Sequence, residues 1–299
     1  MIIKLLTQNK RVFCKGMSTL NYDSLQSNFK TIVPALSAGK HKGSAGRIGV
    51  IGGSEEYTGA PYFSGISALK LGADLVHVFC HSKAATVIKS YSPDLIVHPL
   101  LDKENAVDQI TLWLNRLHCL VVGPGLGREE NTLRTVTELI VKCKELNMPL
   151  IIDADGLFLI AKNPKIIKNH SNVILTPNVM EYRNLFSENP NIYENTDIIV
   201  LEKGANDKVH INGQVVEFPE GGSNRRCGGQ GDILSGCLAT FYSWALEAKV
   251  SNPGPISCAA ASLLTKTCNK LAFEKHGRSM LASDMIPEIH NVFVKFFEK

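Results

Sequence analysis

Short apolar runs that alternate with helical segments constrain the fold of this chain more than any other feature. Seven such runs, rich in Val, Ile and Leu, lie at residues 47–51, 75–79, 95–100, 119–122, 150–153, 173–176 and 198–202. Helical patterns separate them, for example at 60–71, 106–117 and 131–146. Continuous apolar strands joined through helices predict an α/β fold of three layers, in which helices cover both faces of a mostly parallel central sheet.

The remainder of the chain extends this pattern without a second domain. Residues 209–211 and 215–218 flank Asn212-Gly213-Gln214 and predict a hairpin, because Asn-Gly favours tight primed turns. After Asp232 no further strand is evident, and three helical segments are predicted up to the C-terminus. No repeat or linker interrupts the pattern, so a single domain is predicted for residues 30–299.

The charge of the chain is concentrated at its N-terminus. The net charge is +4, and residues 1–22 hold Lys4, Lys10, Arg11 and Lys15 without any acid. The rest is therefore neutral, and no basic field indicates nucleic acid. Because Lys4 interrupts the only apolar cluster, residues 1–22 are predicted to be a mitochondrial presequence outside the fold, with a start at Met17 giving a cytoplasmic form. An unstructured tail without an address is the alternative.

Two other partner classes are not expected from the composition. No apolar run is long enough to span a bilayer, so a membrane partner is not predicted. The eight cysteines include no Cys-x-x-Cys pair, and the spacing of His77 and His81 lies in a strand-like context, so zinc is not expected either. The oligomeric state, a homo-oligomer included, is left open.

Polar and glycine-rich segments follow four of the predicted strands. These segments are residues 123–127, 153–156, 176–181 and 202–207, and each contains Gly, an acid, Asn or Lys. In doubly wound sheets, ligands bind beyond the carboxyl ends of the strands. Any one segment is compatible with an ordinary turn, but four at one edge predict an active site there.

A fifth segment, residues 224–236, is the strongest single motif. Four glycines between Gly228 and Gly236 precede or open an apolar, helix-like segment. Glycines supply positive φ and bring N–H groups close to a ligand, and we expect this of Gly231 in particular. With the helix dipole, these N–H groups predict an anion site. Asp232 would repel a phosphate there unless it handles a proton; alternatively, it only caps or complements the N-terminus of the helix.

The common nucleotide-binding motifs do not account for this segment. No Gly-x-x-x-x-Gly-Lys-Ser/Thr occurs, which excludes a Walker-type loop. Gly46-x-x-Gly49-x-x-Gly52 has the wrong spacing for a dinucleotide fingerprint, and Gly123-x-Gly125-x-Gly127 lacks the third glycine position. A Rossmann oxidoreductase is therefore weakly supported.

Several of these segments together resemble a known family. Gly229-x-Gly231-Asp232 resembles the anion-hole and base motif of the ribokinase-like superfamily, and Asn178-x-x-Glu181 its magnesium-ordering motif. Within that superfamily, the combination with Gly123-Pro-Gly-Leu-Gly127, Asp153-Ala-Asp-Gly156, Thr176-Pro-Asn and Lys203-Gly204 is similar to the NAD(P)H-hydrate dehydratases. The resemblance covers residues 30–299 and implies a ribokinase-like fold.

The resemblance implies ATP-dependent dehydration of the S-form of hydrated NADH or NADPH, with ATP as co-substrate and Mg²⁺ as metal ion. Phosphorylation of the C6 hydroxyl and elimination of phosphate would restore NADH or NADPH and release ADP. Asp232 would accept the hydroxyl proton, and the N–H groups of residues Gly229 to Gly231 would hold the charge on the γ-phosphate. A carboxylate at a helix start is expected to have a lowered pKa and to be a weak base.

The resemblance also implies two sets of binding residues. The ATP-binding set is Lys203, Gly204, Ala205, Asn206, Asp207, Gly222, Ser223, Asn224, Arg225, Arg226, Cys227, Gly228, Gly229, Gln230 and Gly231. The set for the hydrated dinucleotide is Gly125, Asn178, Val179, Met180, Glu181, Tyr182, Arg183, Asn184 and Asp232. Glu181 would order Mg²⁺ through water. Gln230 replaces a usual Ser or Thr, and Asn178 a frequent His, which leaves the nucleotide preference open.

Some of these residues have plainer interpretations. Glu181 also fits a first-turn acid of the helix predicted at 179–186, and Lys203 a solvated charge at a strand end. Arg225 and Arg226 also fit a solvated loop pair.

Other interpretations concern the acids and the function class. Asp153 and Asp155 are interpreted as stabilising the loop around Gly156, outside the binding sets. A ribokinase-like kinase that phosphorylates an alcohol or a vitamin precursor would use the same Gly-Asp motif. A non-catalytic nucleotide-binding protein is the third class, although it has no need of an acid beside phosphate.

Overall fold

The computed structural model describes residues 20–39, 41–188 and 196–298, and a nine-stranded sheet runs through its middle. The strands are β1 (Arg47–Ile51), β2 (Leu75–Cys80), β3 (Ile96–Pro99), β4 (Cys119–Val122), β5 (Leu150–Ile152), β6 (Val173–Leu175), β7 (Ile199–Glu202), β8 (Lys208–Ile211) and β9 (Gln214–Glu217). Their spatial order is β3-β2-β1-β4-β5-β6-β7-β8-β9. The pairs from β3 to β7 are parallel, and β8 and β9 are added as an antiparallel hairpin. The predicted parallel sheet and hairpin are confirmed.

Twelve α-helices of the described residues surround the sheet. They are α1 (Tyr22–Gln26), α2 (Phe29–Ile32), α3 (Gly59–Leu71), α4 (Ser82–Tyr91), α5 (Ala106–Leu114), α6 (Glu130–Glu145), α7 (Asp155–Lys162), α8 (Val179–Glu188), α9 (Gln230–Glu247), α10 (Pro253–His276), α11 (Ala282–Met285) and α12 (Glu288–Phe296). Among the helices of these residues, none combines the length and the apolar character needed to cross a bilayer.

The helices form two layers because alternate strand residues point to opposite faces. On β1, Val50 belongs to a core with α3, α9, α10 and α12, whereas Ile51 belongs to a second core with α5, α6 and α7. This arrangement confirms the predicted three-layer fold.

Helix α9 lies at the centre of the first core and carries the glycine-rich motif at its start. All its residues from Ile233 to Ala245 are buried. It packs closely on α3 because Gly236 has no side chain: a Cβ there would lie 1.9 Å from the backbone oxygen of Ser64. The buried body of α9 therefore fixes the position of its N-terminus at the sheet edge.

The C-terminal region differs from the prediction in one respect. Three helical segments were expected after Asp232, but the structure contains four, because the last segment is divided into α11 and α12. Pro287 lies at the division, and its missing N–H prevents one continuous helix.

The folded domain also begins earlier than the predicted residue 30. Leu25, Phe29 and Ile32 on α1 and α2 are buried in the first core, and the ring of Tyr22 lies 5.6 Å from that of Phe218. Asn21 starts α1 through a capping box with Ser24. Residues 20–22 of the predicted presequence thus contact the domain, while residues 1–19 lie outside the described residues.

Candidate active site

Five neighbouring parallel strands, β1, β4, β5, β6 and β7, end at the same edge of the sheet. Their carboxyl ends bring the polar segments of the sequence together there. Lys203 lies beside the loop that follows β6, because its N–H donates to the Pro177 carbonyl at 2.8 Å and it forms an isolated bridge with Asn178. The start of α9 faces the same edge. The segments that follow β4, β5, β6 and β7 therefore meet the glycine-rich motif, as the parallel order predicts.

The start of α9 presents backbone N–H groups that precede its helical hydrogen bonds. Gly229 is the N-cap with φ of 94° and no side-chain cap. The first helical hydrogen bond runs from Ile233 N to Gly229 O, so the N–H groups of Gln230, Gly231 and Asp232 precede the helical ladder. Asp232 is the third helical residue and is not the cap. The interpretation of Asp232 as a helix cap is therefore wrong, whereas its place in the first turn of α9 fits the interpretation that it complements the helix start.

The positive φ expected at Gly231 is instead found at Gly229. Gly231 already lies within α9, because the left-handed turn is completed before the helix begins. What Gly231 provides is space: a Cβ there would lie 3.3 Å from Lys203 Nζ and 3.8 Å from Asp153 Oδ2. The bare glycine thus keeps a gap between the helix start and the charged pair opposite.

That charged pair joins two strand ends. Lys203 Nζ donates to Asp153 Oδ1 at 2.8 Å, and Thr176 Oγ1 donates to the same oxygen at 2.8 Å. Asp153 is 2% exposed, and the Lys203 side chain is 20% exposed. Lys203 is therefore not a solvated strand-end charge, and Asp153 does more than stabilise its loop.

Asp232 shares this environment, and its pKa is opposite to the expectation. Burial and, after it, the neighbouring Asp153 carboxylate raise the pKa of Asp232 to about 7, against the opposing effects of Lys203 and of the Asp232 backbone N–H. The helix start does not lower the pKa as predicted, because removal from water outweighs the dipole. Burial acts to lower the pKa of Lys203. The negative charges of Asp153, Glu181 and Asp232 outweigh this effect, so the pKa of Lys203 is raised.

A cavity of about 630 Å³ opens between the start of α9 and the end of β7. From the predicted ATP-binding set, its lining includes Lys203, Gly204, Ala205, Asp207, Gly222, Arg226, Cys227, Gly228, Gly229, Gln230 and Gly231. A second cavity of about 560 Å³ adjoins it, shares Ala205, Gly222 and Arg226, and is also lined by Ser223 and Asn224. The two cavities together offer a continuous surface for a nucleotide.

Three residues of the predicted ATP-binding set serve the loops themselves. Asp207 accepts from Gly204 N at 2.8 Å and from Ser262 Oγ at 2.6 Å, so it ties the 203–207 turn to α10. The Asn206 side-chain amide donates to Glu217. The Arg225 guanidinium donates to the Arg226 carbonyl at 3.0 Å, which retains it within its own loop.

The motif Asn178-x-x-Glu181 forms a reciprocal cap at the start of α8. Asn178 Oδ1 accepts from Met180 N at 2.9 Å and from Glu181 N at 3.0 Å, and Glu181 Oε2 accepts from Asn178 N at 2.8 Å. Burial raises the pKa of Glu181, and Lys203 partly offsets this. The plainer interpretation of Glu181 as a first-turn acid is thus satisfied, with Oε1 outside this cap.

The other residues predicted for the hydrated dinucleotide are divided between three places. Val179 and Met180 line the 630 Å³ cavity beside Asn178. The half-buried Tyr182 ring instead packs against Phe186, with ring centroids 4.5 Å apart, and against the second core. Arg183 and Asn184 are exposed, because they follow Tyr182 around α8 on its outer side.

Gly125 lies against a segment that the predicted binding sets omit. Its φ is +60°, and a Cβ there would lie 2.6 Å from the Tyr57 carbonyl. Gly53 N donates to the Gly125 carbonyl at 3.1 Å, so the loop between β1 and α3 forms part of the same edge. The glycines of the loop between β1 and α3 are visible in the sequence, but the contact of this loop with Gly125 depends on the tertiary fold.

Comparison with known proteins shows the family of this chain. The family model for NAD(P)H-hydrate dehydratase matches residues 48–291. An ATP-dependent (S)-NAD(P)H-hydrate dehydratase of Drosophila pseudoobscura pseudoobscura is 55% identical over 287 residues, which cover 93% of this chain and 96% of the relative.

Two solved structures share the fold. A ribokinase-like superfamily protein of Enterococcus faecalis superposes with a TM-score of 0.78 at 20% identity and covers 97% of this chain and all of its own. The ADP/ATP-dependent NAD(P)H-hydrate dehydratase of Bacillus subtilis, co-crystallised with ATP and Mg²⁺, gives a TM-score of 0.68 at 18% identity. The match covers 91% of this chain and 97% of the Bacillus chain. The sequence match spans the whole sheet and every segment of the candidate site, and this chain belongs to the NAD(P)H-hydrate dehydratase family.

Proposed function

We propose that this protein is an ATP-dependent (S)-NAD(P)H-hydrate dehydratase, a hydro-lyase that repairs hydrated NADH and NADPH. The observation that carries the proposal is the position of Asp232, a carboxylate with a pKa of about 7 beside the open N–H groups of α9. A phosphate at those N–H groups would lie next to a base. The relatives with the same domain are named for this activity.

The chemistry requires activation of a poor leaving group. Asp232 takes the proton of the C6 hydroxyl, the hydroxyl oxygen attacks the γ-phosphorus of ATP, and the bond to the ADP oxygen breaks. The lone pair of the ring nitrogen then expels the C6 oxygen as phosphate, and the resulting iminium loses a proton from C5 to solvent, which restores the C5–C6 double bond of the reduced nicotinamide. The oxygen of the original hydroxyl therefore leaves with the phosphate.

The charged pair and the helix start have complementary roles. The N–H groups of Gln230 and Gly231 stabilise negative charge on the transferring phosphoryl group, because they are fixed before it arrives. Lys203 lies 3.3 Å from the position of a Gly231 Cβ and adds a positive charge from the opposite side. Asp153 holds Lys203 in place through the 2.8 Å hydrogen bond.

The raised pKa of Asp232 predicts a pH dependence. The base must be ionised to accept the hydroxyl proton, so kcat/KM for the hydrate is expected to rise with pH and to level off above an apparent pKa of about 7. Initial rates between pH 5.5 and 8.5 at saturating ATP measure this. A rate that stays constant down to pH 5.5, as expected for a base that titrates near pH 4 like an exposed carboxylate, would contradict the role of burial.

Mg²⁺ suits the donor set at this edge. Within the described residues no group of three His, Cys, Asp or Glu side chains is placed to hold a metal by itself. Mg²⁺ does not require one, since it keeps several waters and binds through one or two carboxylates and substrate phosphates. Glu181, with Oε1 outside the cap, would hold the ion through water, and the bound ion would neutralise phosphate charge.

The experiment that tests the function also separates it from the kinase alternative. The protein is incubated with (S)-hydrated NADH, ATP and Mg²⁺, and the absorbance band of reduced nicotinamide is followed. We expect one NADH and one ADP per hydrate consumed, and no reaction without ATP. Accumulation of a stable phosphorylated alcohol would favour the kinase, and nucleotide binding without turnover would favour a binding protein.

We also propose that residues 1–22 direct the protein to mitochondria and that a start at Met17 yields a cytoplasmic form. The support is the acid-free composition of the segment and its four basic residues. A fluorescent protein carrying residues 1–22 is expected to enter mitochondria, and the same fusion with all four basic residues changed to Gln is expected to stay outside. A diffuse distribution of the unaltered fusion would contradict the proposal.

A further inference from the structure

A third cavity, of about 520 Å³, lies between α7 and α8. Its walls include Glu181 and Asn184 from α8, Phe158 and Lys162 from α7, and Arg128 from the loop after β4. It begins at the predicted dinucleotide-binding residues Glu181 and Asn184. The neighbouring residues Asn178, Val179 and Met180, at the start of α8, line the cavity of about 630 Å³ instead. The start of α8 therefore separates the two spaces.

Two cations flank one aromatic ring in this cavity. The Arg128 Cζ lies 4.2 Å and the Lys162 Nζ 4.3 Å from the centroid of the Phe158 ring. The Arg128 Nε also donates to Asp155 Oδ1 at 3.0 Å, while Asp155 Oδ2 accepts from Gly127 N at 3.0 Å. Arg128 is thus tied to the loop that contains Gly125.

The acidic and basic side chains that line the cavity are not all paired with one another. Asp155 is matched by Arg128, and Glu181 lies close to the α8 start, near Lys203. Lys162 forms no ion pair with any acid in the part of the chain that the structure describes. The end of the cavity at Lys162 therefore presents an unmatched ammonium group beside an aromatic face.

We propose that this cavity receives the phosphate-bearing remote half of the hydrated dinucleotide, with Lys162 contacting a phosphate. The inference rests on the proposed function. The dinucleotide is much longer than its reacting ring, and the 630 Å³ cavity that Asn178 and Met180 line must also hold ATP. The remainder of the substrate must leave by another path, and the cavity beyond Glu181 supplies one with a cation at its end. A lysine ammonium is a point charge suited to phosphate.

Two phosphates of the substrate have the required chemistry. The pyrophosphate is present in both hydrated NADH and hydrated NADPH, whereas the 2′-phosphate is present only in hydrated NADPH. A comparison of the two substrates separates them.

The test uses Lys162→Met, which removes the charge and keeps the aliphatic stem, and Lys162→Arg, which keeps the charge. Lys165→Met is the matched control, because Lys165 is exposed, three residues further on, and outside the cavity. KM and kcat are measured for each hydrate at saturating ATP. We expect Lys162→Met to raise the KM of the hydrate by about fivefold, the scale of one exposed ion pair. The KM of ATP should stay unchanged in Lys162→Met, and Lys162→Arg should keep the wild-type KM of the hydrate.

The pattern of KM values identifies the phosphate. A rise for both hydrates indicates the pyrophosphate, and a rise for hydrated NADPH alone indicates the 2′-phosphate. An unchanged KM for both hydrates, or an equal rise in Lys165→Met, would overturn the proposal. Failure of the wild-type protein to dehydrate either substrate would instead contradict the proposed function, so the two failures are distinguishable.

Discussion

Asp232→Asn is expected to lower kcat for the hydrate by roughly a hundredfold or more, the scale of general-base removal. Asn keeps the size and a side-chain oxygen of Asp but cannot accept the hydroxyl proton. Because Asp232 is the third residue of α9 and not its cap, the substitution removes no cap hydrogen bond. The measurement is steady-state turnover of (S)-hydrated NADH at saturating ATP.

Stability and nucleotide binding provide the controls for this variant. Burial raises the pKa of Asp232 in the folded protein, so the folded state binds more protons than the unfolded state between about pH 4 and pH 7. The wild-type carboxylate therefore costs stability as pH rises through that window, and the cost is fully present above pH 7. The Asn variant should melt no lower than wild type at pH 8 and should still bind ATP. Near-wild-type turnover by this variant would exclude Asp232 as the base.

Lys203→Met is expected to reduce both stability and activity. It leaves Asp153, which is 2% exposed, as a buried charge without its cation. Removal of one partner of a buried pair costs roughly 3–5 kcal/mol. Loss of Lys203 also removes the interaction that opposes the raised pKa of Asp232, so the acid limb of the rate profile should move to higher pH. Thermal unfolding and the pH profile measure the two effects.

Two further variants show whether the pair acts as proposed. The double variant Asp153→Asn with Lys203→Met removes the uncompensated charge and should recover much of the stability but not the activity. Lys142→Met breaks an exposed pair with Glu145 and is the matched control, expected to change stability by about 0–1 kcal/mol. A Lys203→Met protein as stable as the Lys142→Met protein would contradict the importance of the buried pair.

The sequence was sufficient for the architecture because the strands are continuous apolar runs. Segments such as 119–122 and 150–153 are buried on both faces. Strands of this kind are typical of a parallel sheet that helices cover on both faces. The parallel order in turn places the segment after each strand at one edge, so the clustering of Asn178 and Lys203 follows from local patterns and topology.

The chemistry of the site was less accessible to sequence reasoning. Asp153 and Lys203 are fifty residues apart, and no local spacing indicates their contact. The pKa of Asp232 was predicted in the wrong direction because the helix start is visible in the sequence, whereas burial and the Asp153 charge arise from distant strands. Tyr182 follows the motif residues along the chain, but the helical turn directs its ring into the second core.

Isotope transfer tests the central claim most directly, namely that ATP phosphorylates the C6 hydroxyl before elimination. Hydrated NADH is prepared with ¹⁸O in the C6 hydroxyl, and the protein converts it with ATP and Mg²⁺ in ordinary water. We predict that the released phosphate carries one ¹⁸O atom for each NADH formed. Unlabelled phosphate, with the ¹⁸O lost to water while NADH appears, would contradict the account, because it would show ATP hydrolysis beside a direct loss of water.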